Sequence, residues 1–334
     1  MEDLIYKFPE QIQEAISIAE KVNFAALHYH KIHHVVVCGL GGSAMGADIV
    51  RKYAYKMGKV PIIVNRHYEI PHFVNEHSLV ILSSYSGNTE ETLSAAEYAL
   101  AQKSTLIAIS AGGKLQEFAE NNKILHIGLP IGYPPRAALA FSTIQQLYIL
   151  RKLNLIKKGF KQELKETVEL LTETREEFRK PDSGPAKLAQ LLKDKLPIIY
   201  ASEELEAVAI RLRQQINENA KQICWHHIFP EMNHNELVGW RFPEYILKKT
   251  AVLILRSSFD HIRVQARYDI CKPIFKKYTQ DVYEIVAQGK SILAQVFYLI
   301  HFSDWLSYFL AKENKIDPTP VEVIDYLKSS LEKL

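Results

Sequence analysis

A chain of 334 residues, at roughly 150 per domain, suggests about two domains of similar size. With 47% hydrophobic and 24% charged residues, 14 Gly and 14 Pro, the composition is that of a globular protein able to bury a core, which excludes disordered and fibrous chains. Forty-one Lys and Arg against 38 Asp and Glu leave a net charge of +3, so no broad basic face for nucleic acid or a membrane surface is expected, and any anion preference is local.

Cys38, Cys224 and Cys271 lie far apart without C-x-x-C spacing, which argues against a zinc knuckle or disulfide framework and fits small buried hydrophobes in a reducing compartment. The N-terminus, MEDLIYKFPEQIQEAI, is acidic and amphipathic, and no run reaches the roughly 18 apolar residues of a membrane span. A soluble cytoplasmic protein is the expectation.

After a leading helix at about 9–28, short β-branched runs alternate with helical patterns. The spacing predicts strands at 33–39, 60–65, 78–84, 104–110 and 123–128, with helices at about 44–57, 89–102 and 114–121 and a longer one from Arg136. Strands this continuously apolar imply a parallel sheet covered on both faces. The segment 154–182 is dense in alternating charge and runs into P-D-S-G-P at 181–185, which reads as a solvated helix and linker. A second α/β series follows: strand 196–202, helix 203–221, strand 251–256, helix 260–277, strand 281–287 and a long helix at 290–312. The tail DPTPVEVIDYLKSSLEKL opens extended and closes as an amphipathic helix. The expected division is 1–153 for a first domain with the leading helix, 154–185 for a linker and 186–334 for a second domain.

Two loops of the first half carry chemistry. In VVVCGLGGSAMG (35–46) a strand enters a turn where Gly39, Gly41 and Gly42 allow close backbone approach and Ser43 offers a hydroxyl beside the unpaired N–H groups of a helix start. It also reads as a G-x-G-x-x-A dinucleotide fingerprint. The next strand, however, ends in Asn65 and Arg66 rather than an acid, which suits only a phosphorylated nicotinamide cofactor. In LSSYSGNTEET (82–92), Ser83, Ser84, Ser86 and Thr89 crowd around Gly87, and Asn88 with Glu91 has capping-box spacing. A cap needs one such group; several hydroxyls with a glycine suit the oxygens of a phosphate. Arg136, in GYPPRAALAFS, opens a helix where its charge opposes the dipole, which points to an anion held there rather than to a surface position.

The second half supplies proton-transfer candidates. Glu218, flanked by Asn217 and Asn219, reads in isolation more readily as a solvated helix position. FPEMNHNELVGW (229–240) holds Glu231, His234 and Glu236 in a turn-forming segment. Its H-x-E does not match H-E-x-x-H, so no metal site is expected. A loop histidine and a helix glutamate can divide proton transfers between them. The pairs His33–His34 and His226–His227 read as packing or surface residues, one opening a strand and the other following a helix. No G-x-S-x-G elbow, Walker loop or kinase set occurs.

Taken together, GLGGSAMGAD, SSYSGNTEET, PPRAAL, the NEN around Glu218, EMNHNELVGW and the terminal DPTPVEVID resemble, in order and over nearly the whole chain, the bifunctional phosphoglucose/phosphomannose isomerase family of SIS (sugar isomerase) proteins. The resemblance implies an α/β fold of two SIS-type three-layer αβα domains, each with a mainly parallel sheet. It further implies a homodimer with active sites at the domain and subunit interface, and interconversion of aldose and ketose 6-phosphates without metal or organic cofactor. By motif, Gly42, Ser43, Ser84, Ser86, Gly87 and Thr89 would hold the sugar phosphate and Arg136 would stabilise the enediolate. Glu218 would move a proton between C2 and C1 through a cis-enediol, and His234, entering from a partner subunit and oriented by Glu231 or Glu236, would open the sugar ring. Members also place a lysine and a small hydroxyl on or near the last long helix, where this chain offers His301, Ser303, Ser307 and Lys312. Two other readings stand beside the isomerase: a non-catalytic phosphosugar-binding module, and an NADP-linked oxidoreductase.

Overall fold

Strands without polar alternation need cover on both faces, and the first five strands have it. The structure, a computed structural model, describes residues 1–334 apart from 26, 158, 332 and 334. Strands β1 (His34–Cys38), β2 (Ile62–Asn65), β3 (Ser78–Ser83), β4 (Thr105–Ser110) and β5 (Leu125–Gly128) form one parallel sheet in the order β2-β1-β3-β4-β5. Every residue of β3 and β4 is buried, as expected of central strands between two helical layers. Val36 of β1 lies opposite Ile63 and Val80 of its neighbours. Below them Leu82, Ala95, Ala99, Leu106, Ala108 and Leu115 form a continuous apolar cluster.

The helices in chain order are α1 (Glu2–Tyr6), α2 (Phe8–Lys21), α3 (Gly41–Met57), α4 (Glu90–Ala101), α5 (Gly113–Asn121), α6 (Leu139–Lys152), α7 (Phe160–Arg179), α8 (Gly184–Leu192), α9 (Glu206–Ala220), α10 (Glu236–Gly239), α11 (Glu244–Leu247), α12 (Ile262–Phe275), α13 (Ile292–Glu313) and α14 (Glu322–Leu331). Residues 7–169 form one unit; residues 1–6 and 170–334 form the other. The leading helix is shorter than the 9–28 expected, because Val22 takes an extended backbone after Lys21; residue 26 of that range lies outside the described residues.

The second sheet is also parallel, with β6 (Leu196–Ser202), β7 (Trp225–Phe229), β8 (Thr250–Arg256) and β9 (Val282–Val286) in the order β7-β6-β8-β9. Its core on one side is aromatic: Tyr200 stacks on Phe275 with ring centroids 5.2 Å apart, and Trp240 packs on Phe275 at 4.7 Å. Beyond the expected elements the structure has α1, α8, α10, α11 and β7. His226 and His227 follow α9, as expected, but lie in a strand, β7, and α8 begins at Gly184 within the P-D-S-G-P segment. Both units are therefore αβα layers built on mainly parallel sheets. No described helix is long and apolar enough to cross a membrane.

Candidate active site

In the first sheet the chain reverses direction of growth between β1 and β3, which leaves a crevice at the carboxyl ends of those neighbouring strands. The two expected loops both open there, because each follows one of these strands. They are tied to each other: the Tyr85 N–H donates to Ser43 Oγ over 3.2 Å. Ser84 Oγ and Thr89 Oγ1 share a hydrogen bond of 2.7 Å, and the Asn88 N–H donates to Ser86 Oγ at 3.2 Å. Ser43 and Ser84 are buried and Ser86 is exposed, so the hydroxyls run from the crevice floor to its mouth.

Two glycines make this geometry possible. A Cβ on Gly42 would lie 2.6 Å from the Pro135 carbonyl oxygen, so the start of α3 and the turn bearing Arg136 pack backbone to backbone. Gly87 has φ +71°, and a Cβ there would come within 1.7 Å of the Gly112 oxygen. Arg136 does not open the α-helix as expected. It is buried in a one-turn 3-10 helix, Pro135–Ala137, ahead of α6, where the two prolines fix the approach and an i to i+3 turn precedes the α-helical bonds.

The capping-box expectation for Asn88 and Glu91 fails. Thr89 is the N-cap residue of α4, without a side-chain cap bond, and Asn88 Oδ1 instead accepts from the Lys114 N–H at 3.0 Å. Asn88 thus joins the second loop to the turn at Gly112–Gly113. Tyr85 adds a further link, donating to the Pro130 carbonyl at 2.8 Å and accepting from the Tyr133 N–H at 3.0 Å. Burial raises its phenol pKa, keeping it a neutral donor.

The end of β2 does not favour a dinucleotide. Arg66 pairs with the buried carboxylate of Asp48, and the Asn65 amide donates to the Glu69 carbonyl at 2.9 Å. The groups that a 2′-phosphate would require are already engaged with the protein. Among the described residues no three His, Cys, Asp or Glu side chains gather in metal-binding geometry.

In the second unit, Glu218 sits half-buried in the last turn of α9. The residues one helical stripe away lock α9 to α13. Arg211 Nη2 reaches both carboxylate oxygens of Asp304 at 3.0 Å, Gln215 donates to the same carboxylate at 2.7 Å, and Asn219 donates to Ser307 Oγ at 3.0 Å. Spaced at i, i+4 and i+8, Arg211, Gln215 and Asn219 share one buried face, and Glu218 lies about a quarter-turn off it. Ser307 is thereby a packing group. Ser303 and His301 are likewise fully enclosed: Ser303 donates to the Leu299 carbonyl at 2.6 Å, and Trp305 Nε1 donates to His301 Nε2 at 3.0 Å. Lys312 lies over the Tyr308 ring at 4.7 Å. None of the three buried residues is placed to touch a ligand.

His234 ends the 3-10 turn Glu231–His234 and is exposed. The acids expected to orient it bond elsewhere. Glu231 accepts from Asn235 Nδ2 at 3.0 Å, while Glu236 takes Nδ1 of His227 at 2.6 Å and the hydroxyl of Tyr200. Tyr200 in turn accepts from Trp240 Nε1 at 2.8 Å, and burial beside the Glu236 carboxylate raises its phenol pKa strongly. The segment bearing His234 is thus fixed to the second sheet through Glu236, Tyr200 and His227, of which only Glu236 is a candidate site residue in the sequence. The one available signal was WHHIF itself, in which Trp225, Ile228 and Phe229 precede Pro230.

Residues 28–153 match the SIS domain family, and residues 182–331 match the bacterial phospho-glucose isomerase C-terminal SIS domain. A bifunctional phosphoglucose/phosphomannose isomerase of Caldicellulosiruptor bescii is 41% identical over 339 residues, covering 100% of this chain and 99% of the relative. The Aquifex aeolicus protein of the same description is 35% identical over 300 residues, 90% of each. Among solved structures, a hypothetical protein from Thermus thermophilus shares the fold with a TM-score of 0.76 at 16% identity, over 98% of this chain and 89% of that one. The C-terminal domain of glucosamine-fructose-6-phosphate aminotransferase from Francisella tularensis does so at 0.69 and 17%, over 94% and 96%.

Proposed function

The chain belongs to the SIS-domain family of bifunctional phosphoglucose/phosphomannose isomerases, and from that premise we propose that it interconverts glucose 6-phosphate and mannose 6-phosphate with fructose 6-phosphate through a cis-enediol. The observation that carries this reading is the joined pair of loops at the β1/β3 crevice, where Ser43, Ser84, Ser86 and Thr89 converge around Gly42 and Gly87. A phosphate dianion there meets hydroxyl donors and the positive ends of α3 and α4.

In this reading Glu218 removes the C2 proton of the open-chain aldose and returns it to C1, while Arg136 stabilises the negative charge on oxygen in between. His234 passes a proton between the ring oxygen and O1 as the ring opens, and in a homodimer it serves the partner's substrate. The exposure of His234 supports that role, since an exposed ring is accessible to an incoming sugar. Incubating the purified protein with fructose 6-phosphate and following both aldose products tests the proposal. Formation of both is expected. Inactivity toward fructose 6-phosphate and a panel of related phosphosugars would overturn it and leave the binding-module reading.

A further inference from the structure

The residue that follows the α9 helix is a lysine where a glycine would be ordinary. Lys221 has φ +50°, the left-handed conformation that ends helices. Lys103, Lys123 and Lys315 adopt the same backbone, at φ +54°, +55° and +58°, so the conformation alone says nothing. What distinguishes Lys221 is its ammonium. It donates to the Glu218 carbonyl at 2.7 Å, to the Pro320 carbonyl at 2.7 Å and to the Pro318 carbonyl at 3.5 Å.

Three donors therefore face three carbonyls. The match follows from both partners' covalent structure. The last carbonyls of a helix have no intrahelical donor and carry the negative end of its dipole, which a cation complements. In DPTP (317–320) the two prolines have no N–H, and the Thr319 N–H is turned inward to Asp317 Oδ1 at 2.8 Å. That stretch cannot build a ladder of its own, so its carbonyls are open to donors from elsewhere, and Lys221 supplies them. A second tie reinforces the first: Asn314 Nδ2 donates to the Ala220 carbonyl and to Gln222 Oε1, both at 3.0 Å.

We propose that Lys221 is a positioning residue for Glu218: its ammonium clasps the last turn of α9 to the 317–320 segment, holding the glutamate-bearing turn and the chain entering α14 as one piece. The inference rests on the reading of Glu218 as the base. The buried Arg211–Asp304 and Asn219–Ser307 bonds hold the inner face of α9. The backbone at the Glu218 turn is held instead by the clasp and by the Asn314 bond to the Ala220 carbonyl.

Two variants test it. Lys221→Met keeps the length and removes the donors; Lys221→Gly suits the left-handed backbone and removes the side chain, so folding is preserved in at least one. Lys315→Met is the control, a left-handed lysine outside the clasp. In both Lys221 variants amide exchange across 321–331 should quicken about tenfold or more. kcat for fructose 6-phosphate should fall about tenfold with KM within about twofold and the denaturation midpoint unchanged. The control should match the wild type. Unchanged exchange in both variants would overturn the clasp. Faster exchange with unchanged kcat, or a kcat loss explained by a lowered midpoint, would overturn the positioning role. A wild-type protein without isomerase activity would instead overturn the function proposed for Glu218, while the exchange data still decide the clasp.

Discussion

The two sheets reverse their order at corresponding places, between β1 and β3 in the first and between β6 and β8 in the second, and the two crevices are furnished in opposite ways. The loops at 39–44 and 83–89 carry glycines and hydroxyls and no carboxylate. The second crevice also has serines, Ser202, Ser257 and Ser258, but they are bonded to other side chains of the protein. Ser202 Oγ donates to Asp260 Oδ1 at 2.6 Å and the Ser257 N–H to Oδ2 at 2.8 Å. Ser257 Oγ donates to Gln295 Oε1, and Gln295 Nε2 to Ser258 Oγ, both at 2.6 Å. An entering phosphate would meet a carboxyl and spent hydroxyls. A repeated fold thus leaves the chemistry to its loops: one crevice carries glycines and hydroxyls without a carboxylate, and in the other the serines are bonded to Asp260 and Gln295.

If the division of labour holds, the largest effect belongs to the second unit's proton-transfer group. Glu218→Gln preserves shape and removes the base, so kcat should fall about 10³-fold, within the range that general base catalysis supplies, with KM changed by less than about threefold. Steady-state rates with fructose 6-phosphate measure both. A variant that keeps more than about a tenth of wild-type kcat would show that Glu218 is not the base, whatever the first crevice binds.

Next in size is a crossed pair. Gly87→Ala forces a Cβ against the Gly112 carbonyl at a left-handed φ, which should cost about 2–3 kcal/mol and raise KM about tenfold or more as the loop moves. Asp260→Ala strips partners from Ser202 Oγ and the Ser257 N–H, which should cost about 2 kcal/mol and leave KM alone. Urea titration and KM measured on both variants separate the crevices. Equal rises in KM would erase the distinction between them.

What was legible in the sequence, and what was not, follows the same line between local and distant causes. The parallel sheets could be read from β-branched runs such as VVVC and LVILS because continuous apolarity has one structural solution, cover on both faces. The grouping of Ser43 with Ser84, Ser86 and Thr89 was readable as chemistry, but their meeting depends on β1 lying beside β3, which no local pattern encodes. Strand β7 gives no continuous apolar signal, because it is an edge strand, partly exposed, and mixes polar with apolar residues. The capping-box spacing of Asn88 and Glu91 is a local signal, whereas the partner of Asn88, the Lys114 N–H, lies 26 residues on. Glu236 likewise lies near His234 in sequence, and its partner Tyr200 comes from 36 residues earlier.

Acid stability extends the contrast between the units. In the second unit burial holds the His301 imidazole neutral down to about 3 and that of His226 down to about 4, against an ordinary value of 6.5. Both folded values are depressed, so the unfolded chain takes up protons first as the pH falls. The stability tied to these rings is complete above about pH 6.5 and drains away as pH falls toward the folded values. At about pH 5 a fully enclosed ring such as His301 should account for about 2 kcal/mol, and the half-buried His226 for less. All three tryptophans, Trp225, Trp240 and Trp305, belong to this unit, so tryptophan fluorescence reports on it alone, while far-ultraviolet dichroism reports on both. The urea midpoint seen by fluorescence should therefore drop between about pH 7.5 and about pH 5, and His226→Gln should recover the smaller part of that drop. A fluorescence midpoint that does not move between these pH values would mean that His301 is not held neutral in the fold, and the second unit would lose its claim to be the acid-sensitive half.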